Sequence, residues 1–268
     1  MQKLVINILL IFFLAIPVYS QGTAGDKAKF EYRYLIDLPT AGILEKGVVG
    51  FTTEILPYGV LIAVIEAGVY ENVSIGISYG GTNLIGSGNV DWYKLPGVTI
   101  RARLINEETL IPAIAIGFDS QGKGIYDDND KRYAIKSPGF FGAVSKNFDF
   151  LGYMSLHGTI NYSLEGKDGD NFVDLRTGIE KTLGSSFSLY VEYDFAFNDN
   201  NSDFGGGKGY LNVGLRWSPG SGFTVGFDLR DLLSNKSLTK NAADRSLKIE
   251  YIKNIFWKRA QFMLSTVF

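Results

Sequence analysis

The residues of this sequence with the most chemical potential are charges that recur two positions apart inside otherwise apolar segments. Arg101 and Arg103 form one such pair, and Asp174, Arg176 and Glu180 form a longer row. Glu192 and Asp194 follow, then Arg216, then Asp228 with Arg230, then Lys248 with Glu250. Residues two apart on a strand share a face, so each row is one side of a strand. Charges facing a low-dielectric wall are costly alone, which predicts opposite signs across neighbouring strands. Two chemistries fit the set. One is an internal salt-bridge network that fills and stiffens a lumen. The other is a path for polar or anionic solutes lined by Arg101, Arg103, Arg176, Arg216 and Arg230.

Catalytic and metal-binding patterns are sparse. His157 is the single histidine and shares a strand face with Ser155 and Thr159, so a serine–histidine hydrolase core is an alternative. An activated serine needs its base within hydrogen-bond reach, and no nucleophile-elbow motif accompanies the pair. Asp127-Asp128-Asn129-Asp130, Lys167-Asp168-Gly169-Asp170-Asn171 and Asn198-Asp199-Asn200-Asn201-Ser202-Asp203 are acidic. None has the twelve-residue EF-hand spacing with a closing glutamate, so they read as solvated turns. The absence of cysteine removes thiolate metal sites, disulfides and a cysteine nucleophile. With one histidine and no cysteine, no metal or cofactor is expected. The glycine runs at 80–81 and 205–207 precede no helix and offer no phosphate cradle.

These charges must be positioned by strands. Phe187-Ser188-Leu189-Tyr190-Val191-Glu192-Tyr193-Asp194-Phe195 alternates apolar and polar, and most of the chain after residue 21 does the same in runs of about ten. The alternation predicts strands near 30–38, 48–56, 60–69, 73–80, 97–105, 112–119, 139–147, 152–164, 172–183, 186–197, 208–217, 222–230, 246–255 and 260–268. Of these, 30–38 and 60–69 fit least well; in the second, Val60-Leu61-Ile62-Ala63-Val64-Ile65 is apolar on both faces, and without both the barrel has about twelve strands. The expected fold is all-β: a transmembrane, antiparallel, up-and-down β-barrel of about 12–14 strands. Val73, Ile75, Ile77 and Tyr79 then face lipid and Ser74, Gly76 and Ser78 face inward. Leu211, Val213, Leu215 and Trp217, and Phe223, Val225, Phe227 and Leu229, form further outer ribbons. Phe262, Leu264 and Phe268 do so in the last strand. Trp92, Tyr93, Phe148, Phe150, Trp217, Phe256 and Trp257 sit near strand ends, where interfacial girdles lie. A soluble sandwich would bury the same apolar ribbons against each other.

The start of the chain favours the membrane reading. Lys3, the apolar run Leu4 to Ile16 and the small-residue site at Val18-Tyr19-Ser20 match a signal peptide over 1–20, leaving a barrel at 21–268. A spanning anchor would need about 20 apolar residues. With 26 basic and 28 acidic residues, the net charge gives no reason to expect a nucleic-acid partner. Short and long connections alternate. If Phe268 ends at the periplasmic rim, the long connections face the periplasm, against the usual rule.

Several segments resemble the YjbH-like outer-membrane barrels associated with exopolysaccharide production and export. They are Leu38-Pro39-Thr40-Ala41-Gly42-Ile43-Leu44-Glu45-Lys46-Gly47, Gly76-Ile77-Ser78-Tyr79-Gly80-Gly81-Thr82-Asn83-Leu84-Ile85-Gly86, Pro96-Gly97-Val98-Thr99-Ile100-Arg101-Ala102-Arg103-Leu104 and Pro112-Ala113-Ile114-Ala115-Ile116-Gly117-Phe118-Asp119. Members linked to polysaccharide are longer, so the chain corresponds to one barrel-sized part. The resemblance implies a non-enzymatic accessory to exopolysaccharide secretion, with a periplasmic or polysaccharide-export partner and outer-membrane lipid around it. A passive diffusion pore for small polar solutes is the alternative.

Overall fold

A computed structural model describes residues 30–200, 205–236 and 243–255. The strands, in chain order, are β1 (Val48–Leu56), β2 (Val60–Tyr70), β3 (Val73–Thr82), β4 (Asp91–Trp92), β5 (Gly97–Ile105), β6 (Ala113–Asp119), β7 (Lys123–Asp127), β8 (Arg132–Ile135), β9 (Gly139–Asp149), β10 (Tyr153–Tyr162), β11 (Asp174–Leu183), β12 (Phe187–Asp194), β13 (Tyr210–Gly220), β14 (Phe223–Arg230) and β15 (Asp244–Asn254). Among the described residues, twelve of them form one closed antiparallel sheet, with β1 hydrogen-bonded to β15 on one side and to β2 on the other. β4 is a short addition to β3, and β7–β8 is a separate hairpin within the connection from β6 to β9.

Closure follows from the alternation, since a closed sheet leaves no unpaired edge in hydrocarbon. Ile65, Ile77, Ile100, Ile116, Val144, Ile160, Leu189, Leu215 and Phe227 are exposed on the outside, while Ser74, Ser78, Thr99, Asn161 and Asn212 are buried inside. An exterior this apolar around an interior this polar belongs to an outer-membrane barrel. Exposed aromatics gather at both strand ends: Tyr70, Phe150, Phe187 and Trp217 at one, Tyr79, Trp92, Phe140 and Tyr162 at the other. Trp92 stacks on Tyr79 with 5.6 Å between ring centres. Ile77, 61% exposed in the middle of β3, is a direct probe of the outer face. Ile77→Arg should cost the barrel about 2–4 kcal/mol near the bilayer midplane. Urea-dependent folding into vesicles measures this, and an unchanged midpoint would argue that this face does not meet lipid.

Three sequence expectations change, and one lies outside the described residues. Residues 30–38 are not a wall strand; they lie inside the barrel. Residues 260–268, Phe256 and Trp257 are outside the described residues, so the described wall has twelve strands and closes through β15. Tyr93 is not a girdle residue but is buried with Leu56, Val60, Ile62 and Tyr133. That cluster also explains the double-faced β2: its inner apolar face is covered by Tyr93, Tyr133 and Tyr126, which pack edge to face about the Tyr133 ring. Finally, the long connections lie opposite the end where β1 starts and β15 finishes. The connections at 71–72, 150–152, 184–186 and 221–222 are short, and those at 83–96, 120–138, 163–173, 195–209 and 231–243 are long. This is the usual barrel pattern, with short turns periplasmic and long loops outside. The conflict rested on residues 256–268, which lie outside the described residues.

Candidate functional site

A twelve-stranded barrel is wider than an eight-stranded one that its own side chains fill. Here the extra space is taken by the segment that precedes β1. Residues 30–46 enter at the short-turn end, run up the lumen, reverse around Ile36-Asp37 and return to Gly47. Backbone bonds from Leu35 N to Leu38 O (3.0 Å) and from Thr40 N to Arg33 O (3.0 Å), with a bridge between Tyr34 and Pro39, make it a hairpin. Leu35, Ile36, Leu38, Ala41 and Leu44 are fully buried by it. Gly42 is required at the return, because a β-carbon there would collide with the Tyr32 carbonyl oxygen.

The wall holds this hairpin mostly through its backbone. Glu192 accepts hydrogen bonds from three successive amides, those of Ile36 (2.9 Å), Asp37 (2.9 Å) and Leu38 (3.0 Å). Arg101 donates to the carbonyls of Arg33 (3.0 Å) and Gly42 (3.1 Å), and Arg103 to that of Ala41 (2.9 Å). Arg176 donates to Asp37 O at 2.7 Å, and Arg216 to Tyr34 O at 2.7 Å and to Leu35 O. The Arg216 guanidinium also lies between the rings of Tyr32 (3.8 Å) and Tyr190 (4.2 Å). Ser145 Oγ accepts from Ala41 N at 3.0 Å, and Thr159 Oγ1 donates to Pro39 O.

Three hairpin charges add ion pairs in layers. Nearest the short turns, Glu31 meets Arg103. Above it, Arg33 pairs with Glu66 at 3.0 Å and with Glu250. At the tip, Asp37 binds Arg230 at 2.6 Å and Lys123 at 3.0 Å. Glu54 joins this last layer through Lys123 and Lys248, each at 2.8 Å. Burial opposes the Lys123 charge, but Glu54 and Asp37 outweigh it and hold its pKa above the ordinary lysine value. Lys123 comes from β7, so the β7–β8 hairpin reaches down from the loop end to meet the plug. Beside the hairpin the lumen keeps a cavity of about 90 Å³, lined by Tyr34, Thr52, Glu54 and Glu66 among others, with room for a handful of waters.

All the residues of the charge ladder read from the sequence lie on the inner face. Arg176 and Asp194 are register partners across β11 and β12 and pair at 3.1 Å, with Asp174 at 3.3 Å. Lys248 and Glu54 are likewise opposite each other on β15 and β1. Asp228 accepts from Tyr190 at 2.6 Å, and Glu180 is buried near Arg216. The sequence reading missed Glu54, Glu66 and Lys123 on the wall side and Glu31, Arg33 and Asp37 in the hairpin. Glu66 had a visible signal, a lone carboxylate on the face of an otherwise apolar strand that a water-facing lumen explains.

The hydrolase pairing is not assembled. Ser155 donates to Asn147, whereas His157 Nδ1 lies 2.8 Å from Ser145 Oγ, which is itself held by the hairpin backbone. The Asp168 and Asp199 loops also differ from solvated turns. Arg132 is fully buried between them at 2.6 and 2.7 Å. Lys136 Nζ lies in a cage of oxygens from Asp168 (2.7 Å), Asp170 O (2.9 Å) and Asn198 O (2.8 Å). The cation of this cage is thus a lysine. Lys136→Met should leave Asp168 with Arg132 and take this donor from the Asp170 and Asn198 carbonyls, at a cost of about 1–3 kcal/mol of local stability. Faster amide exchange across 163–173 would report it, and unchanged exchange would count against the cage.

No family model matches the chain, and no curated protein matches it. The YjbH-like resemblance therefore has no family match behind it. Solved structures similar to this chain include a "KdgM porin", with 10% identity and a TM-score of 0.47, covering 76% of this chain and 98% of that one. A "KdgM porin in complex with disordered oligogalacturonate" gives the same values. A NanC porin shares 10% identity with a TM-score of 0.42, covering 77% of this chain and 98% of its own.

Proposed function

We propose that the chain is a non-enzymatic outer-membrane pore for small polar solutes, held shut in this conformation by its own hairpin at 30–46. The carrying observation is the lining. Arg101, Arg176, Arg216, Arg230, Glu192 and Glu250 are all buried against the hairpin. A permanently closed barrel is packed as well or better by apolar side chains, because buried ion pairs are rarely worth their desolvation. A wall that keeps these charges suits a lumen that is wetted when the hairpin leaves. The hairpin's contacts are of a kind water can replace, since guanidiniums and carboxylates take solvent as readily as backbone amides and carbonyls. The accessory role in exopolysaccharide secretion rests on the sequence resemblance, and no feature of the lumen favours it over the pore.

Planar-bilayer recordings test the pore. The full chain should be silent or open only briefly, and a variant with 31–45 replaced by a short glycine–serine link should conduct steadily. If the shortened variant folds, as judged by heat-modifiable migration, and stays silent, the pore is wrong.

A further inference from the structure

The tip of the hairpin ends beneath a second cavity. This one has a volume of about 250 Å³ and lies at the loop end, walled by Leu56, Tyr58, Ile125 and Ile135 and floored by Lys123 and Arg230. The same two cations hold the tip carboxylate, Asp37. Arg230 is 1% exposed, and its Nη2 has no hydrogen-bond acceptor; Glu54 lies 3.9 Å away. Asp228 reaches Arg230 only through Ser246. The other charges of the cavity, Lys236 and Asp244, pair with each other.

The charge balance of this layer depends on the hairpin. With the tip docked, Lys123, Arg230 and Lys248 share two carboxylates, Asp37 and Glu54. With the tip withdrawn, Arg230 loses its closest carboxylate and keeps Glu54 at 3.9 Å, with Asp228 and Glu192 acting at longer range, and a buried charge short of compensation is costly. A carboxylate entering from above would restore the balance, and its body would meet apolar walls. We infer that the loop-end cavity is a binding site for a small organic monocarboxylate with a compact apolar body, and that this ligand competes with Asp37 for Lys123 and Arg230. The ligand thereby favours the undocked hairpin. This gives the pore proposed above a ligand and a reason to open, so it rests on that reading for its consequence, though not for the binding itself.

Calorimetric titration of the full chain in detergent tests the site, with benzoate as the probe and benzyl alcohol as its neutral counterpart. Benzoate should saturate one site, and benzyl alcohol should bind at least tenfold more weakly. Arg230→Gln should abolish the heat. Asp37→Asn removes the competitor and keeps its volume, so it should tighten benzoate binding by about tenfold. That gain cannot come from a damaged fold. Lack of saturable binding, equal binding of the alcohol, or an affinity unchanged or weakened in Asp37→Asn would each overturn the inference. Heat is read without current, so the two ideas fail separately. A barrel that binds benzoate but never conducts loses the pore and keeps the site. One that conducts after hairpin removal but gives no heat loses the site and keeps the pore.

Discussion

Glu192→Ala should release the hairpin and leave the barrel standing. One carboxylate accepts three consecutive hairpin amides and also the Asn212 side chain at 2.9 Å. Hydrogen bonds to a charged group contribute about 1.5–3 kcal/mol each, and a buried donor left bare costs a further 1–3 kcal/mol. Non-additivity and local rearrangement reduce the sum, and about 3–5 kcal/mol lost from docking is a reasonable expectation. At about 1.4 kcal/mol per tenfold, the undocked fraction rises by about two to three and a half orders of magnitude. Two readouts should move together: bilayer current, and protease cleavage within 30–46. Heat-modifiable migration should not change, because the ladder bonds of β12 to β11 and β13 do not involve this side chain. Glu192→Gln keeps one acceptor oxygen and should lie between. A protected, silent Glu192→Ala barrel would show that the hairpin is held by something else.

Gly178→Leu should unseat the same hairpin by volume, with no polar group removed. Gly178 sits on the inner face of β11 directly across from Glu192. A β-carbon there would collide with Leu35 Cδ1 and lie 3.3 Å from Leu38 Cδ1. Overpacking a filled interior costs about 1–3 kcal/mol, and more where nothing can yield. The wall backbone is fixed by hydrogen bonds on both sides, whereas around Leu35 and Leu38 the hairpin is held to the wall by wall side chains, so the hairpin should move. Current and cleavage should rise roughly tenfold to a hundredfold on the same conversion. If current instead falls while cleavage is unchanged, the added side chain has filled the lumen around a hairpin that stays docked.

The wall was legible in the sequence because two solvents impose a period of two on every strand. Parity alone put Ile75 and Ile77 outside and Ser74 and Ser78 inside, and it turned the charges of β11, β12 and β14 inward. The same parity misled at 30–38. Glu31 and Arg33 alternate with Tyr32 and Tyr34 because a hairpin in a charged lumen also needs polar groups toward ion pairs and apolar groups toward packing. Period two therefore marks a polar–apolar boundary, not a wall. The inner face of β2 was opaque for another reason. Val60, Ile62 and Val64 are covered by tyrosines from 93, 126 and 133, and nothing local announces such distant partners. Lys136 in its oxygen cage is the same case, since its ligands come from two other loops.

The seam between β1 and β15 carries a consequence for how the molecule is made. Val48 pairs with Asn254, so the bond that turns a curved sheet into a tube waits for the last described strand. The hairpin is synthesised before any of the wall and runs directly into β1 through Gly47, which donates to Gly68 of β2. It is thus available as a mandrel, around which the growing sheet can wrap while each new strand finds a ready counter-charge. In pulse-labelled exchange, the amides of Ile36, Asp37 and Leu38 should then gain protection no later than those of the seam. Late protection of these amides would mean that the tube forms empty and is stoppered afterwards.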